Sequence, residues 1–412
     1  MDVFCGIDWA EDHHDIALVD RDGKLLARCR ISDDAAGLAE LLGLLAEHGD
    51  SPADRIPVAI ETPRGLLVAC LRAAGRPVYP VNPMAVARYR DRHSVSGKKS
   101  DHGDSAVLAH VLRTDIAMHR PLPADSELAQ AIAVLARAQQ DAVWDRTQAC
   151  NRLRSCLREY YPGFLAAFGA ARGGIMRPEA RAVLAAAPTP ADAAALTLAQ
   201  LRGLLRKAGR SRGIDTEATR LREAFRTGQM RQLPLVEQAM GRQALALLGQ
   251  LDAACASTAD LEQAATESFN LHPDAGIITS FPGLGTLTGA RVLAEIGDDR
   301  SRFQHAKGLK AYAGAAPVTR ASGKTRSVMH RRVKNNRLAT VGYTWAFSAL
   351  TASPGARAHY DRRKTAGDRH AAAQRNLFGR LLGCLHHCLA TGQHYDEATA
   401  FPNATRKSRQ AA

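Results

Sequence analysis

The sequence predicts a mixed α/β domain followed by a long, mainly helical region. Three observations carry this expectation. Residues 3–8 (VFCGID), 14–20 (HDIALVD) and 24–31 (KLLARCRI) are short β-prone runs joined by tight connections, with an Asp22-Gly23 turn before the third. Helical and β patterns then alternate to residue 93. From about residue 124 to 270 the chain is alanine-rich, with apolar residues at helical spacing and few strand signals.

Taken in order, the first three runs form an antiparallel meander. Ser32, Asp33 and Asp34 open an apolar-periodic helix to about residue 48, and IPVAIE is a strand that closes on Glu61. A helix from Pro63 to Ala74, the strand PVYPV and the helical MAVARYRDRH follow. Three strands, then helix, strand, helix, strand, helix is the order of an RNase H-like α/β domain. It brings Asp8 and Glu61 to one edge of the sheet, because both close strands that run parallel to each other.

The stretch SGKKSDHGDSAVLAHVL, residues 96–112, sets Asp101 and Asp104 three apart at the mouth of a helical pattern. One reading is ordinary: carboxylates in a first turn cap free N–H groups and offset the helix dipole. The other is chemical: two carboxylates on one helix face are half of a divalent-metal site. Asp8 and Glu61 supply the other half. Four hard oxygen ligands from separate segments suit Mg²⁺, with Mn²⁺ as a substitute, and two such ions about 4 Å apart support phosphodiester chemistry.

Glu127 to Tyr160 reads as one long helix. A second carries Met240, Ala244, Leu247, Leu251, Ala254, Thr258, Leu261 and Ala265 in alternating steps of four and three, the spacing of a coiled-coil seam. This pair makes either an arm that meets another subunit, giving a homo-oligomer, or an intramolecular bundle. Pro188 to Pro190 and KAGRSRGID mark loops between them.

Residues 278–298, ITSFPGLGTLTGARVLAEIGD, read as helix, Pro-Gly-x-Gly turn, helix, the pattern of a helix-hairpin-helix. There Gly283 and Gly285 would let backbone N–H groups approach a phosphate. Beyond it Arg320, Lys324, Arg326, Arg331, Arg332, Lys334 and Arg337 run with no acidic residue between them, which favours contact with a nucleic-acid backbone.

The whole chain of 412 residues carries 55 Lys and Arg against 41 Asp and Glu, a formal net charge of +14 that points to a polyanionic partner, nucleic acid before membrane. The N-terminus lacks a basic segment followed by an apolar one, and no apolar run is long enough for a membrane helix, so the expectation is a cytoplasmic, nucleoid-associated protein. Its eight cysteines lack framework spacing and read as reduced thiols. Cys384, His387 and Cys388 share a helix face, but no partner pair with finger spacing stands nearby to complete a zinc site.

GIDWAEDHHDIALVD, AIETPRGLLVACLRAAGRPVYPVNP, KKSDHGDSAVLAHVL and SFPGLGTLTGARVLAEIGDDRSRFQHAKGLKAYAGAAPVTRASGK together resemble the DEDD-type transposases of the insertion-sequence-110 family. The resemblance covers both ends of the chain. It implies a RuvC-like domain over 1–123, a helical or coiled-coil region over 124–270, a C-terminal transposase domain over 271–400 and a basic tail over 401–412. It also implies recombination of donor and target DNA guided by a structured bridge RNA, through a covalent phosphoserine–DNA link. Asp8, Glu61, Asp101 and Asp104 would be the metal ligands and Ser322 the nucleophile. Two departures stand out: Lys99-Ser100-Asp101 where the family often has Lys-Thr-Asp, and Ala321-Ser322-Gly323 where it often has Ser-Ser-Gly. Two other readings stay open, a metal-dependent nuclease selective for Holliday-junction-type structures and a non-catalytic nucleic-acid-binding protein. The nuclease leaves the Ser-Gly-Lys segment idle, and the binding protein leaves four carboxylates to coincidence.

Overall fold

Alternation along β1 (Val3–Trp9) organises the N-terminal unit. Cys5 and Ile7 face one way and Phe4 and Gly6 the other, as successive strand residues must. The computed structural model describes residues 2–93, 101–169, 173–323 and 325–402. The chain divides into two compact units between Ala124 and Asp125.

In the first unit β1 is followed by β2 (His13–Asp20), β3 (Leu25–Ser32), α1 (Ala35–Glu47), β4 (Val58–Ile60), α2 (Leu66–Ala73), β5 (Val78–Pro80), α3 (Pro83–His93) and α4 (Asp101–Asp115). The sheet order is β3-β2-β1-β4-β5, antiparallel across β3, β2 and β1 and parallel across β1, β4 and β5. Asp34 caps α1, its Oδ1 accepting from the Gly37 N–H at 2.8 Å. Cys5, Ile7, Val58 and Ile60 pack under Leu41 and Leu45 of α1 and Leu67 and Leu71 of α2. Phe4 and Ala59 pack on the opposite face under Val86 of α3 and Leu108 and Leu112 of α4. Three layers result, helices on both faces of one sheet.

A buried ion pair closes the far end of this unit. Arg76, almost fully enclosed, donates to both oxygens of Asp50 at 2.5 and 2.9 Å and to the Ile56 carbonyl at 3.1 Å. Burial alone would raise the Asp50 pKa, but the bonds from Arg76, the Ile56 amide and Arg55 outweigh it and hold the carboxyl at about 2.

The second unit is built on two long helices, α5 (Glu127–Tyr160) and α11 (Pro234–Asn270). Between them lie α6 (Pro162–Gly169), α7 (Pro178–Ala186), α8 (Pro190–Ala195), α9 (Leu198–Lys207) and α10 (Ile214–Arg226). Leu153, Leu157 and Tyr160 late in α5 share a core with Ala244, Leu248 and Leu251 early in α11. Ile132 near the start of α5 and Phe269 at the end of α11 share the C-terminal core. The helices are therefore antiparallel and join both cores. Ala244, Leu251, Thr258 and Ala265 of the expected seam are buried, and the stripe is covered by α5 of the same chain.

The last third contains α12 (Ala275–Thr279), α13 (Thr286–Ile296), α14 (Ala306–Tyr312), β6 (Val318–Ser322), β7 (Thr325–Met329), α15 (Asn336–Ala352), α16 (Pro354–Thr365), α17 (His370–Thr391) and α18 (Glu397–Ala400). Its core surrounds Trp345, with Phe281 and Phe378 meeting the indole edge-on. Among the described residues no helix is long and apolar enough to cross a membrane.

Candidate active site

The parallel pairing of β1 and β4 runs Cys5 to Val58, Gly6 to Ala59 and Ile7 to Ile60. The next position in that register sets Asp8 beside Glu61, at the carboxyl ends of neighbouring strands. Alternation turns Asp8 to the same face as Gly6, the face covered by α4, and continued one residue past β4 it turns Glu61 there too. Both are half-buried.

Gly6 fixes how closely α4 comes. A Cβ there would stand 2.0 Å from the Ser105 carbonyl oxygen and 2.4 Å from the Ala109 nitrogen, so only glycine lets the helix backbone rest on β1. The residue before Ser105 is Asp104, itself buried. Its Oδ1 accepts from Arg90 of α3, Nε at 2.8 Å and Nη2 at 2.6 Å. Sequence reasoning missed Arg90, because the pairing is made by the docking of α3 beside α4 and leaves no local pattern. Asp101 is the first residue of α4, and its side chain lies outside the described ones. Among the described residues no three His, Cys, Asp or Glu side chains gather closely enough to hold a metal ion. The donor chemistry of Asp8, Glu61 and Asp104 fits a hard divalent cation, while the Arg90 bond occupies one of those carboxylates.

Ser322 stands elsewhere, in the second unit, as the last residue of β6. Its partner across the hairpin is Thr325, and Arg320 pairs with Ser327. Directly opposed residues share a face, so Arg320, Ser322, Thr325 and Ser327 project together from the tip half of an exposed two-stranded ribbon. Gly323 at the turn has φ +54, a left-handed conformation suited to glycine. This ribbon departs from the expectation of a mainly helical region. Its residues alternate without an apolar face, so the usual strand signal is absent. Lys324 and the side chain of Arg326 lie outside the described residues.

A polar network holds the foot of the ribbon. Buried Glu295 accepts from Arg137 Nε at 2.7 Å and Asn335 Nδ2 at 2.5 Å, Asn335 also donates to the Tyr312 hydroxyl at 2.7 Å, and its Oδ1 caps α15 through the Leu338 N–H.

The remaining basic and glycine positions separate into two groups. Arg320 and Arg332 are exposed, and Arg331 and Lys334 are half-buried. Arg337 is engaged internally: it donates to both oxygens of Asp141 at 2.8 and 2.9 Å and to Gln140 at 3.1 Å, and it lies over the Trp144 ring. These contacts tie α15 to α5. Gly283, with φ +82, is likewise needed for packing, since a Cβ would meet Ala349 N at 2.7 Å. The Pro282 carbonyl next to it accepts from Trp345 Nε1 at 3.0 Å. Gly285 precedes α13 with open space where a Cβ would be, and no side chain caps that helix. The first helix of the expected helix-hairpin-helix is only the five residues of α12. Cys388 is buried in the C-terminal core, and burial pushes both its thiol and that of Cys384 above the usual range.

Residues 5–162 match the model of the DEDD-type IS110 family, described as Transposase, and residues 275–361 match one described as Transposase IS116/IS110/IS902 family. The chain is 64% identical over 401 residues to the mini-circle putative transposase for IS117 of Streptomyces coelicolor, covering 97% of each chain. It is 31% identical over 391 residues to the insertion element IS116 uncharacterized 44.8 kDa protein of Streptomyces clavuligerus, covering 93% of each. It is also 29% identical over 410 residues to the insertion element IS900 uncharacterized 42 kDa protein of Mycobacterium paratuberculosis, covering 96% of this chain and 98% of that one.

Proposed function

The chain belongs to the IS116/IS110/IS902 family of transposases, and on that premise we propose that it recombines donor and target DNA through Ser322 and the carboxylates Asp8, Glu61, Asp101 and Asp104, guided by a structured bridge RNA. The first unit is read as RNase H-like, of the RuvC type. The observation that carries the reading is the parallel register that sets Asp8 beside Glu61 on the face covered by α4.

Ser322 Oγ attacks a DNA phosphorus. One Oγ–P bond forms, one P–O bond to a sugar breaks, the serine proton is released and the departing sugar oxygen takes one up. The ester conserves the phosphodiester energy for rejoining, whereas a nuclease uses water and conserves nothing. Serine is a poor nucleophile at neutral pH until charge developing on oxygen is stabilised, and Arg320 shares its face of the ribbon. Mg²⁺ or Mn²⁺, held by the four carboxylates, would act as a Lewis acid on the phosphate oxygens when bound. Arg90 keeps Asp104 oriented and its charge balanced. Arg320, Lys324, Arg326, Arg331, Arg332 and Lys334 supply backbone contacts that carry no sequence information, which suits a protein whose site choice is delegated to base pairing. Gly285 adds the uncapped start of α13 to the same task. Division into a RuvC-like domain, a helical region and a C-terminal transposase domain belongs to this reading, as does a homo-oligomer.

The test is strand exchange between donor and target DNA with and without the RNA encoded beside the gene. Glu61→Gln and Asp101→Ala abolish exchange while the fold survives, and protein stripped of RNA is inactive. Sequence-specific exchange without RNA would refute the guide role.

A further inference from the structure

At the foot of the β6–β7 ribbon a cavity of about 200 Å³ opens between α15 and α17. We propose that it is a slot for one unpaired nucleobase of the DNA substrate. Phe378 and small alanine side chains give it apolar walls, and His330, Lys334 and Arg375 stand around it with no acidic residue in the lining. An apolar slot edged by cations matches a nucleotide, with an uncharged face on the base and a negative charge on the phosphate. Gly314 leaves room for the stem of Lys334, which a Cβ there would meet at 2.1 Å.

Two further observations support a base rather than another apolar group. Tyr343 lines the slot and is 53% exposed, and Phe347, four residues on along the same helix face, is 56% exposed. Two rings about 6 Å apart along a helix axis offer successive stacking platforms. Gln374 is 1% exposed, and its Nε2 donates to the Tyr343 carbonyl at 3.0 Å. A carbonyl only accepts, so that bond fixes which end of the amide is which and leaves Oε1 without a hydrogen-bond partner. Every unpaired base carries an N–H donor on its free Watson–Crick edge, the thymine imino group included, so this acceptor suits a base without selecting one. His330 directly follows β7, and four residue steps separate the foot of the ribbon from Ser322, about 14 Å at strand rise. The slot would hold a base within one or two nucleotides of the phosphate under attack.

The choice of DNA as occupant rests on the proposed function. Binding needs no strand exchange, so the two readings fail separately. Fluorescence anisotropy with the full-length protein and labelled oligonucleotides is the test. Tyr343→Ala weakens single-stranded DNA about tenfold or more and duplex DNA less than about twofold, and Tyr343→Phe restores binding. Gln374→Met weakens single-stranded DNA and leaves duplex binding unchanged. Should Gln374→Met not fold, Tyr343→Ala alone decides the slot. Equal losses on single-stranded and duplex DNA, or no loss from Tyr343→Ala, overturn the slot. A loss confined to single-stranded RNA overturns the DNA assignment, and unchanged single-strand binding by a folded Gln374→Met overturns the role of Gln374.

Discussion

Arg90 donates to Asp104 through Nε at 2.8 Å and Nη2 at 2.6 Å, pairing an arginine of α3 with a carboxylate that α4 carries onto the sheet. Asp104 is buried, so removing its partner leaves a charge with neither water nor a counter-ion. Arg90→Ala lowers stability by about 3 kcal/mol, read as the shift in denaturant midpoint. Arg90→Lys recovers part of it. If Asp104 also ligates a divalent ion, added Mg²⁺ raises the melting temperature of Arg90→Ala more than that of the wild type. An equal response of both proteins would separate Asp104 from the metal.

Gly6→Ala tests whether the approach of α4 matters. Relief of the contacts at 2.0 and 2.4 Å requires helix backbone to move. The expected cost is about 2–3 kcal/mol, with strand exchange reduced even though all four carboxylates remain. Wild-type exchange and wild-type stability together would show that close docking is dispensable.

Acid stability follows from Asp50. Its folded pKa of about 2 lies below the unfolded value of 3.8, so the carboxylate contributes stability fully above about pH 4, and that contribution is lost as pH falls toward 2. The size is about 2 kcal/mol. Asp50→Asn should be destabilised at pH 7, and the gap to the wild type should narrow between pH 4 and 2, measured by urea midpoints across that range. A gap independent of pH would assign the loss to packing.

Arg337 and Arg332 should separate cleanly. Arg337→Ala loses the pair with Asp141 and the stack on Trp144, about 1–2 kcal/mol of stability. Arg332→Ala leaves stability unchanged and reduces the salt dependence of DNA binding by about one ion. The reverse pattern would return Arg337 to the DNA contacts.

What was legible in the sequence was what local pattern encodes. The ends of β1 and β4 follow from short β-prone runs, and with them the neighbouring positions of Asp8 and Glu61. The Ala244, Leu251, Thr258, Ala265 stripe marks one face of a long helix, but a stripe does not say which helix covers it. Arg90 with Asp104 and Arg337 with Asp141 are tertiary pairs, indistinguishable in sequence from solvated charge. The β6–β7 ribbon was hidden because neither of its faces is consistently apolar. Gly6 was findable: a glycine inside the run VFCGID signals close approach of another backbone.

The central claim is that Ser322 holds DNA covalently. Protein mixed with guide RNA, both DNA substrates and Mg²⁺ should give a protein–DNA species that survives denaturing gel electrophoresis. Ser322→Ala should abolish it without weakening nucleic-acid binding, since the hydroxyl adds little to contacts made by arginine and lysine. Thr325 and Ser327 share the face of Ser322, so Thr325→Ala and Ser327→Ala are the controls that should keep the adduct. An adduct that survives Ser322→Ala and vanishes in Ser327→Ala would move the nucleophile across the ribbon, and strand cleavage with no adduct under any active condition would contradict the recombinase and leave a metal-dependent nuclease.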